Sequence, residues 1–376
     1  MSRFETVAAH TAMIVLPALL IWLYLFFAHG RFWQSAPQLE PATPPEFPDV
    51  DIVVPARDEA ATIGPVIGSL LAQDYAGAFR IILVDDDSTD GTAAAAGAAE
   101  RLCVISLRSK PAGWSGKLWA LSQGVAAARA PLLLLTDADI VHDPRHLSSL
   151  VAQLLRARLD MASEMVRLEC SSFAERALVP AFVYFFQMLY PFRKVNDPRS
   201  KVAAAAGGTV LIRREALQRI GGIDSIKNSL IDDVALAQAV KASGSIFLGH
   251  SGLAASIRPI PRFTDIWRMI SRTAFTQLRH SALLLLLTLC GLCMVWLVPA
   301  AAIVLGAGWQ RGCGALAFGL SAASYLPTLA RYRRSPLWAL ALPLIALFYM
   351  AATVGSALDY WRGKGALWKN RAYGAS

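Results

Sequence analysis

Four short stretches hold the residue types that could do chemistry. Residues 84–92 read VDDDSTDGT and place Asp85, Asp86 and Asp87 directly after the apolar run Arg80–Val84. Adjacent carboxylates repel, and a buried one is costly without a partner. Such residues belong at the mouth of a sheet, where they meet polar ligand groups or a cation. TDAD at 136–139 sets Asp137 and Asp139 two apart behind the run LLLL. Hard oxygen ligands in that arrangement suit Mg2+ or Mn2+ beside a diphosphate, although a lone DxD is also an ordinary acidic turn. GWSGKLWAL at 113–121 offers Lys117 at a helix start, where N–H groups and an ammonium can hold phosphate; the plainer reading is a solvated charge. It is not a P-loop, because GxxxxGK[ST] is absent. In IDDVALAQAV at 231–240, Asp232 and Asp233 precede an apolar stripe of Val234, Leu236, Ala237 and Val240. They are either helix-capping residues or include a general base aimed at an acceptor hydroxyl.

The elements that must carry these residues alternate in type. Asp51–Pro55 and Arg80–Val84 read as buried parallel strands, joined by a helix whose core stripe is Ile63, Val66, Ile67, Leu70 and Leu71. Thr89 or Asp90 can cap a helix running through the alanines to about Arg101. Leu102–Leu107 is a further strand, Lys117–Arg129 a helix and Pro131–Leu135 a strand. This is βαβ construction around a mostly parallel sheet, and ligands bind beyond the carboxyl ends of its strands. That rule brings Pro55–Glu59, Asp85–Asp87 and Asp137–Asp139 to one edge. In AAAAGGTVLIRREALQRIGGID at 203–224, Gly207-Gly208 permits close backbone approach to a ligand, with Thr209 beside them on the acceptor side. Gly221-Gly222 is a helix stop.

The rest of the chain is oily. Of 376 residues, 55% are hydrophobic and only 17% charged, against about a quarter charged in a soluble protein. Residues 11–29 carry no charged side chain and predict an uncleaved membrane anchor within a segment 1–30. A linker at 31–49 follows, with five prolines in 37–49. Residues 50–260 form the soluble domain, 261–281 an amphipathic helix at the membrane surface, 282–360 three apolar spans and 361–376 a basic tail. The stretch 177–192 is apolar and aromatic and reads as an interfacial helix, with a buried helix as the alternative. The net charge of +9 gathers near the apolar segments, as Arg258, Arg262, Arg268, Arg272 and Arg279, then Arg331, Arg333 and Arg334. This fits anionic lipid and a cytoplasmic face better than nucleic acid. Three C-terminal spans would nevertheless put the tail (Arg362, Lys364, Lys369, Arg371) outside, against that rule. The five cysteines make no disulfide framework, and the six histidines lack zinc-ligand spacing.

Taken in order, VPARDE, VDDDSTDGT, GKLWAL, LLLTDAD, AGGTVLIRREAL with GGID, and IDDVALA resemble glycosyltransferase family 2, inverting enzymes of GT-A fold. The resemblance covers about residues 50–275. Anchor, domain and spans look like the lipid-glycosylating members, most of all the hopanoid-biosynthesis-associated glycosyltransferases of bacteria. It implies an α/β GT-A fold with transmembrane helices in the bacterial inner membrane. The activity it implies is transfer of one sugar from a nucleotide sugar, UDP-sugar expected, to a lipid hydroxyl such as that of a hopanoid.

Carried onto matching positions, the resemblance implies that Pro55, Ala56, Arg57, Glu59 and Asp86 hold the nucleoside. Asp86 bonds the base and Glu59 lies near the ribose. Asp137 lies by the nucleotide and Asp139 ligates Mg2+ or Mn2+, with Asp137 beside it. Lys117 faces the diphosphate, Arg272 neutralises it as it leaves, and Asp233 is the base, with Asp232 where Glu is common. Asp58 stands where the family often has Asn, and Asp87 where it often has Gly. Of the QxxRW of polymer-making members only Arg272 remains, which argues against a processive synthase. The rivals are a polyprenyl-phosphate sugar transferase, a non-catalytic membrane protein that holds a cation or nucleotide, and a receiver-like domain, which is too short and lacks the DxD.

Overall fold

The computed structural model describes residues 14–363, together with the backbone of 367–368 and 371–372. The chain divides into two compact units. One comprises residues 36–169, 194–259 and 365–376, and the other residues 1–35, 170–193 and 260–364.

The first of these holds an eight-stranded sheet of β1 (Val50–Ala56), β2 (Phe79–Asp86), β3 (Leu102–Leu107), β4 (Leu132–Thr136), β5 (Ile140–His142), β6 (Met161–Arg167), β7 (Thr209–Arg213) and β8 (Ile246–Ser256), in the order β3-β2-β1-β4-β7-β6-β8-β5. β1 to β4 are parallel neighbours, β7 runs antiparallel between β4 and β6, and β8 lies parallel to β6. All residues of β1 and β4 are buried, as befits strands covered on both faces. Because β7 is antiparallel to both β4 and β6, the strands β1, β2, β4, β6 and β8 all point the same way. Their carboxyl ends define one edge.

Two helices press on this sheet near that edge. Ala60–Leu71 buries Ile63, Val66, Ile67 and Leu70 against it, four of the five stripe positions. Gly116–Ala127 comes so close that a Cβ on Gly124 would lie 2.3 Å from Val53 Cγ1. The Ser115 hydroxyl caps its start by accepting from the Leu118 N–H at 3.2 Å, which fixes where Lys117 emerges. The helix expected to run to Arg101 stops at Ala95, and Gly97 with φ +73° turns the chain away. The proline-rich linker does not hang free: Leu39 is buried in the core and its N–H donates to the His250 carbonyl.

The second unit is helical. Ala282–Leu305, Trp309–Arg331 and Pro336–Trp361 are each long and apolar enough to cross a membrane. The expected anchor appears as an apolar helix over Ile14–Ala28, and residues 11–13 lie outside the described residues, as do Lys364 and Lys369 of the tail. Two expectations change here. The helix Phe173–Leu189 is not interfacial: Ala177, Leu178, Ala181 and Tyr184 are buried in the apolar cluster, and the Tyr184 hydroxyl shares a 2.6 Å hydrogen bond with that of Ser324. The amphipathic helix expected over 261–281 is broken into Phe263–Ser271 and Ala274–Gln277. At the break, the Ser356 hydroxyl donates to the Ser271 carbonyl and accepts from the Phe275 N–H, so it replaces one rung of the helix ladder.

Candidate active site

The carboxyl edge of the sheet gathers the acidic segments through a continuous set of ion pairs. Lys117, at the start of its helix, sits 2.9 Å from Asp137 Oδ1 and 3.3 Å from Asp232 Oδ2. Burial alone would lower its pKa, but those two carboxylates outweigh burial and hold it well above the usual lysine range. Asp137 goes the other way from a normal ion-paired carboxylate. Burial raises its pKa, and Asp139 adds to the rise, against the pull of Lys117.

Arg258 is the residue that sequence reasoning missed, having counted it with the membrane-flanking arginines. It follows the end of β8, at the same edge as the ends of β1, β2 and β4. Its guanidinium pairs with Glu59 and, through Nε at 2.8 Å, with Asp139 Oδ2. Asp139 and Glu59 keep it above its usual range despite burial. β8 carries Gly, His and Ser among its apolar residues, so its pattern does not announce a strand. A recognised strand at 246–256 would have placed Arg258 in the site.

Beside Glu59 the loops after β1 and β2 interlock. The Arg57 guanidinium donates to the Asp86 carbonyl, and to that of Asp87 at 3.2 Å, and lies 3.8 Å from the Asp86 carboxylate. Asp58 Oδ1 accepts from the Thr89 N–H at 2.9 Å, and the Asp58 N–H donates to the Ser88 hydroxyl at 3.0 Å. The Glu59 N–H donates to the Thr92 hydroxyl at 2.8 Å. Pro55 and Ala56 lie opposite Val84 and Asp85 in the β1–β2 register. Asp58 and Asp87 have φ of 50° and 56°. These are left-handed positions, where Asn and Gly sit at less cost than other residues. The two departures from the family pattern therefore fall where the backbone itself asks for those residues.

Asp233 heads the helix Asp232–Lys241. Its Oδ1 accepts from the Val234 N–H of its own helix turn at 2.8 Å, and its Oδ2 accepts from the Gly207 N–H at 2.8 Å, far along the chain. A Cβ on Gly207 would stand 3.3 Å from that oxygen, and one on Gly208 3.1 Å from Val166 Cγ2. The glycine pair thus lets backbone reach a carboxylate. Burial first, and then the charge of Asp232, push the Asp233 carboxyl up to about 7. A carboxylate near that value can both accept and release a proton at neutral pH. Arg272 follows the helix Phe263–Ser271 in the other unit.

Among the described residues no group of three His, Cys, Asp or Glu side chains could hold a metal ion by itself. The donor chemistry nonetheless suits a dication completed by ligand oxygens. Lys117 pairs with Asp137 and Asp232, and Arg258 with Asp139 and Glu59, while Asp232 raises the Asp233 carboxyl beside them, so carboxylates outnumber cations in this set. Two hard carboxylates on one turn fit Mg2+ or Mn2+, which dehydrate reluctantly and keep water and phosphate ligands.

The mixed eight-stranded sheet, with all strands but β5 and β7 pointing one way, has a GT-A-like fold. Residues 51–221 match the family described as Glycosyl transferase family 2. The chain is 30% identical over 122 residues to a dodecaprenyl-phosphate galacturonate synthase of Rhizobium johnstonii, a match covering 30% of this chain and 34% of that one. It is 32% identical over 109 residues to the succinoglycan biosynthesis protein ExoU of Rhizobium meliloti, covering 28% and 30%. These matches span about a third of the curated relatives' lengths. Among solved structures, the mannosyltransferase PcManGT of Pyrobaculum calidifontis, in complex with GDP-Man and Mn2+, superposes with a TM-score of 0.58 at 20% identity, over 94% of this chain and 99% of that one. At that identity the likeness speaks for the fold.

Proposed function

We propose that this protein is a membrane-anchored inverting glycosyltransferase that moves one sugar from a nucleotide sugar to the hydroxyl of a membrane lipid. UDP-sugar is the expected donor and a hopanoid the expected acceptor. The observation that carries the reading is Asp233, a carboxylate raised to about 7 and aimed by the Gly207 amide across from Lys117 and the DxD pair. Asp233 takes the acceptor proton as the oxygen attacks the anomeric carbon from the face opposite the diphosphate. One displacement inverts that centre and needs no covalent nucleophile. Arg57 and Asp86 read the base, with Pro55 and Ala56 as the strand end beside it, and Glu59 lies near the ribose. Lys117 meets the charge developing on the diphosphate, and the resemblance adds Arg272 to that task. Asp139 and Asp137 would hold Mg2+ or Mn2+, which supplies Lewis-acid stabilisation of the same charge. Gly207, Gly208 and Thr209 face the acceptor side. The candidate spans and flanking arginines support a multi-pass protein of the bacterial inner membrane with this domain on the cytoplasmic side.

The dodecaprenyl-phosphate relative favours a second reading, in which the acceptor is a polyprenyl phosphate. A phosphate nucleophile needs no base, so Asp233→Asn separates the two. The test is nucleotide release by the detergent-purified chain with UDP-sugars and GDP-mannose, with and without Mn2+, with hopanoid-containing lipid extract or polyprenyl phosphate added. Metal-dependent release stimulated by the extract and lost in Asp233→Asn supports the lipid hydroxyl. Stimulation by polyprenyl phosphate that survives the substitution supports the second reading. Absence of release with every donor overturns both.

A further inference from the structure

Behind the site, in the dry interior of the sheet, lies a line of polar side chains that the mechanism does not use. Glu164 and His146 are fully buried, Thr136 is 2% and His142 5% exposed. Glu164 Oε2 lies 2.9 Å from His146 Nε2, His146 Nδ1 lies 3.1 Å from His142 Nδ1, and His142 Nε2 lies 3.1 Å from Thr136 Oγ1. The Thr136 hydroxyl donates to the Gly208 carbonyl at 2.9 Å, and the same carbonyl accepts the Asp137 N–H at 3.2 Å. Four elements thus contribute to one chain: β6, the helix His146–Arg156, the end of β5 and the end of β4.

Such a chain has a direction, fixed by counting protons. Thr136 has a single hydroxyl proton and spends it on the Gly208 carbonyl, so Thr136 must accept from His142 Nε2–H. His142, kept neutral by burial and by its histidine neighbour, then accepts at Nδ1. His146 therefore donates from Nδ1 to His142, and its Nε2 shares a hydrogen bond with Glu164 Oε2. A buried carboxylate needs such a partner, and Glu164 Oε1 has none of its own. The set is no metal centre, since His146 is spent between its two neighbours and no cluster of three metal-binding groups occurs among the described residues.

We propose that Glu164, His146, His142 and Thr136 are positioning residues that act as one directional hydrogen-bond relay, which locks the Gly208 carbonyl and thereby sets Asp137 and the Gly207 amide that aims Asp233. Gly208 is the joint. Its carbonyl ties β7 to the DxD strand, and the amide one residue earlier holds the base. None of the relay side chains reaches the acidic edge, so their effect on transfer is on geometry alone.

The kinetic arm of the test rests on the proposed transfer; the spectroscopic arm does not. Thr136→Val keeps the shape and removes the hydroxyl. It is expected to lower kcat about tenfold, one positioning hydrogen bond's worth, with donor KM within about twofold, and to lower the melting temperature by a few degrees because the buried His142 Nε2–H loses its acceptor, while Thr136→Ser restores both. In the full chain in detergent, with histidine labelled by 15N, His142 is expected to carry its proton on Nε2 and His146 to carry one on Nδ1, assigned by the loss of signals in His142→Gln and His146→Gln. An unchanged kcat in Thr136→Val, a loss that follows melting and is not restored by Ser, or a proton on His142 Nδ1 would overturn the relay. If no donor turns over at all, the transfer reading fails and the imidazole signals still decide this proposal.

Discussion

On the side of the acidic edge formed by β1 and β2, the loop carboxylates Asp58 and Asp90 are met by donors from their neighbours. Asp58 takes the Thr89 amide, and Asp90 takes the amides of Ala60 and Thr92 together with the Thr92 hydroxyl. Asp90 accordingly stays below its usual range, because those bonds outweigh the cost of burial. On the side formed by β4 and the helix Asp232–Lys241, carboxylates outnumber their partners, and Asp137 and Asp233 are both raised. One residue type is thus used in two ways. The first side is a finished cradle whose loops hold each other in place. The second stores unfavourable negative charge that a cation can relieve, which is the usual trade of stability for function at a reactive site.

The largest effect that can break this contrast is Asp233→Asn. Transfer to a hydroxyl should fall about a thousandfold, within the range for loss of a general base, while nucleotide binding persists. The same substitution should stabilise the protein. A carboxyl raised from 3.8 to about 7 costs nothing below pH 4, and its cost grows as pH rises through that interval. The gain is therefore absent at pH 4 and on the order of 2–4 kcal/mol at pH 8. Melting curves at the two pH values check it, and equal shifts at both would show that Asp233 is not strained. Next comes Lys117→Met, which should lower kcat about a hundredfold. It leaves Asp137 and Asp232 facing each other without their shared cation, so Mn2+ should raise its melting temperature more than that of the unaltered protein. Equal Mn2+ responses would place the ion elsewhere.

How far this was readable from sequence differs between the same two sides. β1, β2 and β4 are apolar runs closed by turn residues, so Glu59, Asp86 and Asp137 could be set at one edge from pattern alone, while Lys117 was placed only by the resemblance. The other half of the sheet conceals itself. β6 reads MASEMVR, and its Ser163 and Glu164 are buried because Ala206 and His146 satisfy them. A polar residue paired inside the core looks, in sequence, like an exposed one. With β6 and β8 unread, Arg258 and the histidine relay had no visible location. The helix Phe173–Leu189 misled for the converse reason: its aromatic density suggested an interface, whereas Tyr184 finds its partner at Ser324, far along the chain.

A smaller effect sharpens the comparison through pH. If Asp233 is the base, kcat should rise with pH and level off above about 7, falling about tenfold per unit below it, since the protonated acid cannot accept the hydroxyl proton. Nucleotide binding by the finished side should be flat across the same range. A flat kcat would remove Asp233 from the base role and favour a phosphate acceptor.

The smallest effect probes the finished side itself. Asp87 holds φ at 56°, and its backbone carbonyl accepts from Arg57. Asp87→Gly keeps that carbonyl and relieves the left-handed strain, while glycine's freedom in the unfolded chain takes back part of the gain. The net change should be a stabilisation of about 0.5 kcal/mol, or roughly 1–2 °C in melting temperature for a domain of this size, with nucleotide affinity unchanged within about twofold. Loss of affinity would mean that the Asp87 carboxylate itself meets the nucleoside, and the first side would then share the reactive character of the second.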